Sequence, residues 1–151
     1  MEIKSTAFKN NEYIPARYTC DGQDISPEIK WGGIPENTRS IALIMDDPNA
    51  PGKTFCHWII FNIPPEKDGL PEAIPVTTEL PDDTRQGIND FGRFGYGGPC
   101  PPPGKPHHYN FRLYALDSKI ELPTGTNQDK VLDAIKGHIF AQAQLIGIYK
   151  R

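Results

Sequence analysis

The sequence predicts a strand-rich single domain, a β-sandwich or mixed sheet with one clear helix. Three observations carry that reading. Residues 41–45 and 55–63 are near-continuous apolar runs of strand length, as expected where both faces of a sheet are covered. Two further segments alternate: Tyr109, Phe111, Leu113 and Ala115 share one side of the first, and Ile139, Ala141, Ala143 and Leu145 share one side of the second. The 16 prolines and 14 glycines among 151 residues punctuate the chain too densely for a helical bundle.

Taken in order, Ile3 to Phe8 reads as an edge strand kept soluble by Lys4 and Lys9. Tyr13 to Thr19 is extended around Pro15, and Cys20-Asp21-Gly22 turns. Ser26-Pro27 restarts a short strand that ends near Trp31, where Gly32-Gly33 breaks it. Arg39 to Met45 and Phe55 to Ile63 are the two buried strands, joined by the turn-dense segment Asp46-Asp47-Pro48-Asn49-Ala50-Pro51-Gly52. Residues 66–85 form a polar, proline-dotted excursion with a short strand expected over Ala73–Thr78. Thr126 is placed as a helix N-cap with Asp129 three residues on. Val131, Leu132 and Ile135 give that helix a narrow apolar stripe, and Gly137 stops it. His138 to Lys150 closes the fold as a strand. No internal repeat or linker divides the chain, so residues 1–151 are read as one domain.

The stretch from Asp90 to Asp117 is the richest in chemistry. Gly95, Gly97 and Gly98 allow close backbone approach or positive φ, while Pro99, Pro101, Pro102 and Pro103 stiffen the loop and remove donors. The loop empties into a strand over His107–Leu116, and period two sets His107 and Tyr109 on one face at its mouth. Asp47 leaves the first buried strand and His57 opens the second. Were these three strands neighbours, Asp47, His57, His107 and Tyr109 would converge at one rim. Gly97-Gly98-Pro99 would then add backbone N–H groups as an anion-holding concavity. His108, on the opposite face, and His138 read as surface groups. Tyr96, Phe91 and Phe94 read as core or pocket wall, and Trp58 as a packing residue whose N–H needs a partner.

A net charge of −3 leaves no basic stripe to neutralise phosphates, which argues against a nucleic-acid partner. No apolar run approaches the length of a membrane span, and the start MEIKSTAFKN lacks the apolar heart of a signal peptide. A soluble cytoplasmic protein is expected. Cys20, Cys56 and Cys100 are odd in number and show no CxxC spacing, so each is read as a buried or half-buried thiol.

The segments DDPNAP (46–51), HWIIFNIP (57–64) and GYGGPCPPPGKPHHYNFRLYALD (95–117) resemble the phosphatidylethanolamine-binding protein family, in its bacterial and archaeal Raf-kinase-inhibitor-like branch. Tyr18-Thr19-Cys20-Asp21-Gly22, Ser26-Pro27 and Trp31 are similar to that branch too. The resemblance implies a mainly β sandwich built on a large central antiparallel sheet, with a smaller sheet and one or two short helices. It implies a non-enzymatic binding protein with no cofactor and no metal. It implies a pocket for a phosphate-bearing or other small anionic head group, formed by Asp47, His57, Gly98, Pro99, His107 and Tyr109. A regulatory role toward a kinase or serine protease belongs to the same implication. So do peripheral phospholipid contact without membrane embedding, and room for a homodimer through an exposed edge strand. Three departures limit the transfer. Asn49 stands where the family pattern has a second acidic residue, the loop before the histidine is slightly longer than in the animal proteins, and no C-terminal helix follows the last strand.

A buried anion needs donors in place of its water, and two imidazoles, a phenol and a backbone N–H supply enough for three oxygens. Asp47 is expected to orient a histidine and favour its imidazolium form, so that phosphate-type ligands bind more weakly as pH rises from about 7 to 9. Two other classes compete. Two histidines, one aspartate and a tyrosine resemble a 2-His-1-carboxylate metal set. A hydrolase using His and Asp lacks a convincing nucleophile: Ser26 and Ser40 sit in no elbow motif, and alternation turns Cys56 away from His57. Cys100 at the loop tip is the best thiol that is left.

Overall fold

The computed structural model describes residues 1–151. The elements in chain order are β1 (Glu2–Lys4), β2 (Glu12–Tyr13), a 3-10 turn (Ala16–Tyr18), β3 (Ile29–Gly32), β4 (Ser40–Asp47), β5 (Phe55–Ile63), β6 (Gly69–Leu70), β7 (Arg85–Gln86), β8 (His107–Leu116), α1 (Gln128–Ile135) and β9 (Ile139–Tyr149). Six strands form the central sheet in the order β2-β9-β8-β4-β5-β7, and β1-β3-β6 form a smaller one. Every pairing is antiparallel except that of β2, which runs parallel to β9. The mainly β architecture with two sheets and one short helix is the expected one.

The central sheet is a middle layer, which is why β4 and β5 read as continuous apolar runs. On one face Ile41, Leu43, Met45, Trp58, Ile60, Phe111 and Leu113 meet Ile29, Trp31 and Leu70 from the small sheet. On the other, Ala42, Ile44, Ile59, Phe61 and Tyr114 pack against Val131 and Ile135 of α1. Burial of each large apolar side chain contributes roughly 1.5–3 kcal/mol. The three strands β8, β4 and β5 are therefore the best-anchored part of the molecule. Trp58, fully buried, finds its partner in Gln86, with Nε1 donating to Oε1 at 2.8 Å.

Several local expectations are corrected. β1 ends at Lys4, and Phe8 turns into the core instead of extending the edge. Pro15 leads into the 3-10 turn, so Tyr13–Thr19 is not extended throughout. No strand forms over Ala73–Thr78, where Pro75 removes a donor; the short pairings fall at Gly69–Leu70 and Arg85–Gln86. The helix cap is Asn127, whose side chain accepts from Lys130 N–H at 3.0 Å, and Thr126 is buried just before it. Ile139 is 40% exposed instead of facing inward, at the start of β9 where the β8–β9 register shifts between Ala115 and Leu116.

The cysteine reading changes most. Cys20 and Cys100, 80 positions apart, form a disulfide, and only Cys56 is a free, buried thiol. The turn around Cys20 lies directly against the loop around Cys100. Cys20 N–H donates to Pro99 O at 3.1 Å, Tyr96 OH to Tyr18 O at 2.6 Å, and Gly98 N–H to Asp24 Oδ1 at 2.7 Å. No helix of the chain is long and apolar enough to cross a membrane.

Candidate functional site

Because β4 runs antiparallel to both neighbours, its last residue lies beside the first residues of β5 and β8. Asp47, His57, His107 and Tyr109 meet there, lining one cavity of about 180 Å³. Phe55, Phe91, Ala50 and Pro51 supply its apolar wall, and Cys100, Pro101 and Pro102 close it from the loop side.

His57 reaches the cavity through an irregularity in its strand. The β4–β5 register steps from Met45–Trp58 to Asp46–Cys56, which leaves His57 as an extra residue. Such a bulge breaks strict alternation and re-aims one side chain. His57 therefore joins the cavity while Cys56 packs toward α1 and Trp58 stays in the core between the sheets. The His57 Nδ1–H donates to Gly97 O at 2.7 Å. Its ring meets Tyr109 edge-on at 5.2 Å and Phe91 at 5.4 Å. Burial holds its pKa below the ordinary histidine value, against weaker upward pulls from the Gly97 carbonyl and the Asp47 charge.

His107 is held by a carboxylate instead: its Nδ1 lies 2.6 Å from Asp47 Oδ2. The other oxygen, Asp47 Oδ1, accepts the Asn49 backbone N–H at 2.7 Å. Both imidazoles thus turn Nδ1 toward the protein, and Nε2 is the nitrogen each has left for the cavity. Tyr109 stands between the two rings, 5.2 Å from His57 and 6.4 Å from His107. Burial, helped by the Asp47 charge, pushes its hydroxyl well above the usual phenol value, so it stays a donor at neutral pH.

Gly98 and Pro99 behave differently from the sequence expectation. Neither lines the cavity. The Gly97 N–H donates to His57 O at 2.9 Å and the Gly98 N–H to Asp24, so no backbone concavity is left open for an anion. The need for glycine at 98 comes from the protein itself: a Cβ there would lie 2.3 Å from Tyr18 O. Asp47 orients His107, as expected of one histidine, whereas at His57 burial favours the neutral form.

No three His, Cys, Asp or Glu side chains are grouped to share a metal ion, and the Asp47 carboxylate is already engaged at both oxygens. Cys100 is tied into the disulfide. Burial pushes the Cys56 thiol up to about 12, and it faces the other side of the sheet. Sequence reasoning missed Phe55 as a wall residue, although its place two positions before His57 signalled it. It also missed Asp24, which acts across 74 positions and carries no local signal.

Comparison with known proteins identifies the family and the fold. The sequence model of the family described as "Phosphatidylethanolamine-binding protein" matches residues 4–150. A UPF0098 protein of Methanothermobacter thermautotrophicus is 52% identical, over 100% of this chain and 99% of its own length. The crystal structure of YbcL from Escherichia coli, described as a member of the mammalian PEBP family, superposes with a TM-score of 0.93 at 35% identity, covering 99% of this chain and 98% of that one. A phosphatidylethanolamine-binding protein homologue from Chlamydia trachomatis, CT736, gives a TM-score of 0.90 at 34% identity, covering 99% and 97%.

Proposed function

Because the chain belongs to the phosphatidylethanolamine-binding protein family, we propose that it is a non-enzymatic binding protein whose cavity takes a small phosphate-type head group. One observation carries the reading: two imidazoles, each with its Nδ1 engaged by the protein, and one phenol, all from the strand mouths, line a single small cavity with an apolar wall. Tyr109 OH donates to one ligand oxygen. His107, oriented by Asp47, presents Nε2 to a second, and His57 to a third. The apolar wall of Phe55, Phe91 and Pro51 accommodates the carbon next to the phosphate.

The neutral His57 makes binding a proton-coupled event. An imidazole whose Nδ1–H already points at Gly97 O has only a lone pair at Nε2. A phosphate oxygen is held there when a proton sits between them, taken up from solvent or brought as the ligand's own P–OH. Sulfate carries no such proton, so its affinity is expected to rise as pH falls below neutral. The reading is tested by titrating inorganic phosphate and phosphoethanolamine into the wild type and His107→Ala. Saturable binding that weakens at least about tenfold in the variant is expected, the worth of one charge-assisted hydrogen bond. Unchanged affinity would remove the cavity from the assignment. Regulation of a kinase or protease would act through the same cavity, by exposing or covering its rim when a ligand is bound.

A further inference from the structure

One half of the Cys20–Cys100 disulfide, Cys100, lines the cavity together with the two prolines that follow it, and we propose that reduction of the bond loosens that wall and weakens head-group binding. The proposal rests on the head-group reading above and adds a regulator to it, a dithiol reductant. Up to Pro99 the loop is fastened residue by residue: Tyr96 to Tyr18, Gly97 to His57, Gly98 to Asp24, and Pro99 to Cys20. Beyond Cys100 the fastening stops. Pro101, Pro102 and Pro103 have no N–H to donate, and the next backbone tie is Gly104 N–H to Arg151 O at 3.2 Å. Two of those prolines line the cavity. Pro101 is buried and residues 102–106 are exposed, so the disulfide is the covalent tie that holds the start of this donor-less arc against the body of the protein. Breaking it returns conformational freedom to the arc and to its cavity-facing prolines.

The exchange balances as an ordinary dithiol reaction. One thiolate of the reductant attacks Cys20 Sγ, the S–S bond breaks, and the electron pair leaves on Cys100 Sγ. Arg151 Nη1, 3.5 Å from that sulfur, favours its thiolate as the leaving group. The reductant's second thiol then resolves the mixed disulfide. Two electrons and two protons reach the chain, and the reductant leaves as a cyclic disulfide. Cys100 is exposed and Cys20 half-buried, so the bond is accessible, whereas Cys56 is buried on the α1 face and takes no part. Disulfides persist in oxidising compartments and in intracellular proteins of hyperthermophiles. A chain meeting both redox conditions would bind differently in each.

Coupling of this kind is reciprocal: whatever reduction does to ligand affinity, bound ligand must do to reduction. The test therefore has two arms. Phosphoethanolamine is titrated against the oxidised chain, the chain reduced with dithiothreitol, and Cys20→Ser and Cys100→Ser. Separately, the wild type is equilibrated in dithiothreitol redox buffers with and without saturating phosphoethanolamine, which needs no variant to fold. Affinity about tenfold weaker in the reduced chain and in both serine variants is expected, and ligand should resist reduction by the same factor, within the usual range of such couplings. Equal affinity in both redox states, or reduction indifferent to ligand, overturns the latch while leaving the head-group reading intact. An oxidised chain that fails to bind phosphoethanolamine overturns both.

Discussion

Asp46 and Asp47 are neighbours at the end of β4, equally buried, and they do opposite things. Asp46 faces α1, where it accepts from Arg112 Nη2 and from Gln128 Nε2 at 2.7 Å. Asp47 faces the cavity, where it accepts from His107 and from its own turn. The first carboxylate ties a strand and a helix start together and has a permanent cation beside it. The second holds an imidazole whose far nitrogen is free. One step along a strand thus separates a structural ion pair from a positioning residue, and what divides them is which face of the sheet has a cavity.

The largest expected effect breaks the structural half of that comparison. Asp46→Ala leaves Arg112 and Gln128 without their acceptor, at a cost of about 2–3 kcal/mol, below the range for fully buried pairs because Arg112 is partly exposed. Urea unfolding should show a lower midpoint with unchanged slope, and phosphate affinity should not move. Asp47→Ala should do the reverse: a stability change near 1 kcal/mol and phosphate binding about tenfold weaker, because His107 loses its orientation. Tighter binding in Asp47→Ala would mean that the carboxylate only repels the anion, and the positioning role would be lost.

How much of this was readable beforehand follows the range of the interaction. The boundaries of β5 and β8 were legible because apolar run and alternation are local signals, and Phe55–Ile63 and His107–Leu116 came out as read. The rim residues followed, since each sits at a strand mouth. The partnership of β8, β4 and β5 was only a condition in the sequence, and so was which nitrogen of each histidine faces the cavity. What was not legible acts at a distance. Asp24 takes the N–H that the glycine loop seemed to offer a ligand, and Cys20 finds Cys100 across the sequence. The bulge at His57 arises from a register mismatch between two strands, which no single strand's pattern contains.

A smaller change sharpens the Asp46 side. Gln128→Ala removes one of the two donors to Asp46 but leaves the Arg112 cation in place. Stability should fall by about 1 kcal/mol, less than for Asp46→Ala, and circular dichroism should show the helix retained. A loss as large as that of Asp46→Ala would mean that Gln128, not Arg112, is the main partner.

The subtlest difference between the faces is in pH dependence, and it comes from His57. Its folded-state pKa lies below the ordinary value of about 6.5, because burial penalises the imidazolium. Above that pH neither the folded nor the unfolded chain carries a proton there, and the group is neutral to stability. As pH falls through about 6.5 the unfolded chain takes up a proton that the folded chain refuses, so stability declines until the lower folded pKa is reached. His57→Gln removes the titrating group and should flatten that part of the profile. The difference between wild type and variant in urea unfolding, followed from about pH 7.5 to 5.5, isolates His57 from the other histidines. Parallel profiles would show that His57 is solvated enough to ionise freely, and the proton-coupled binding derived for it would then have no basis.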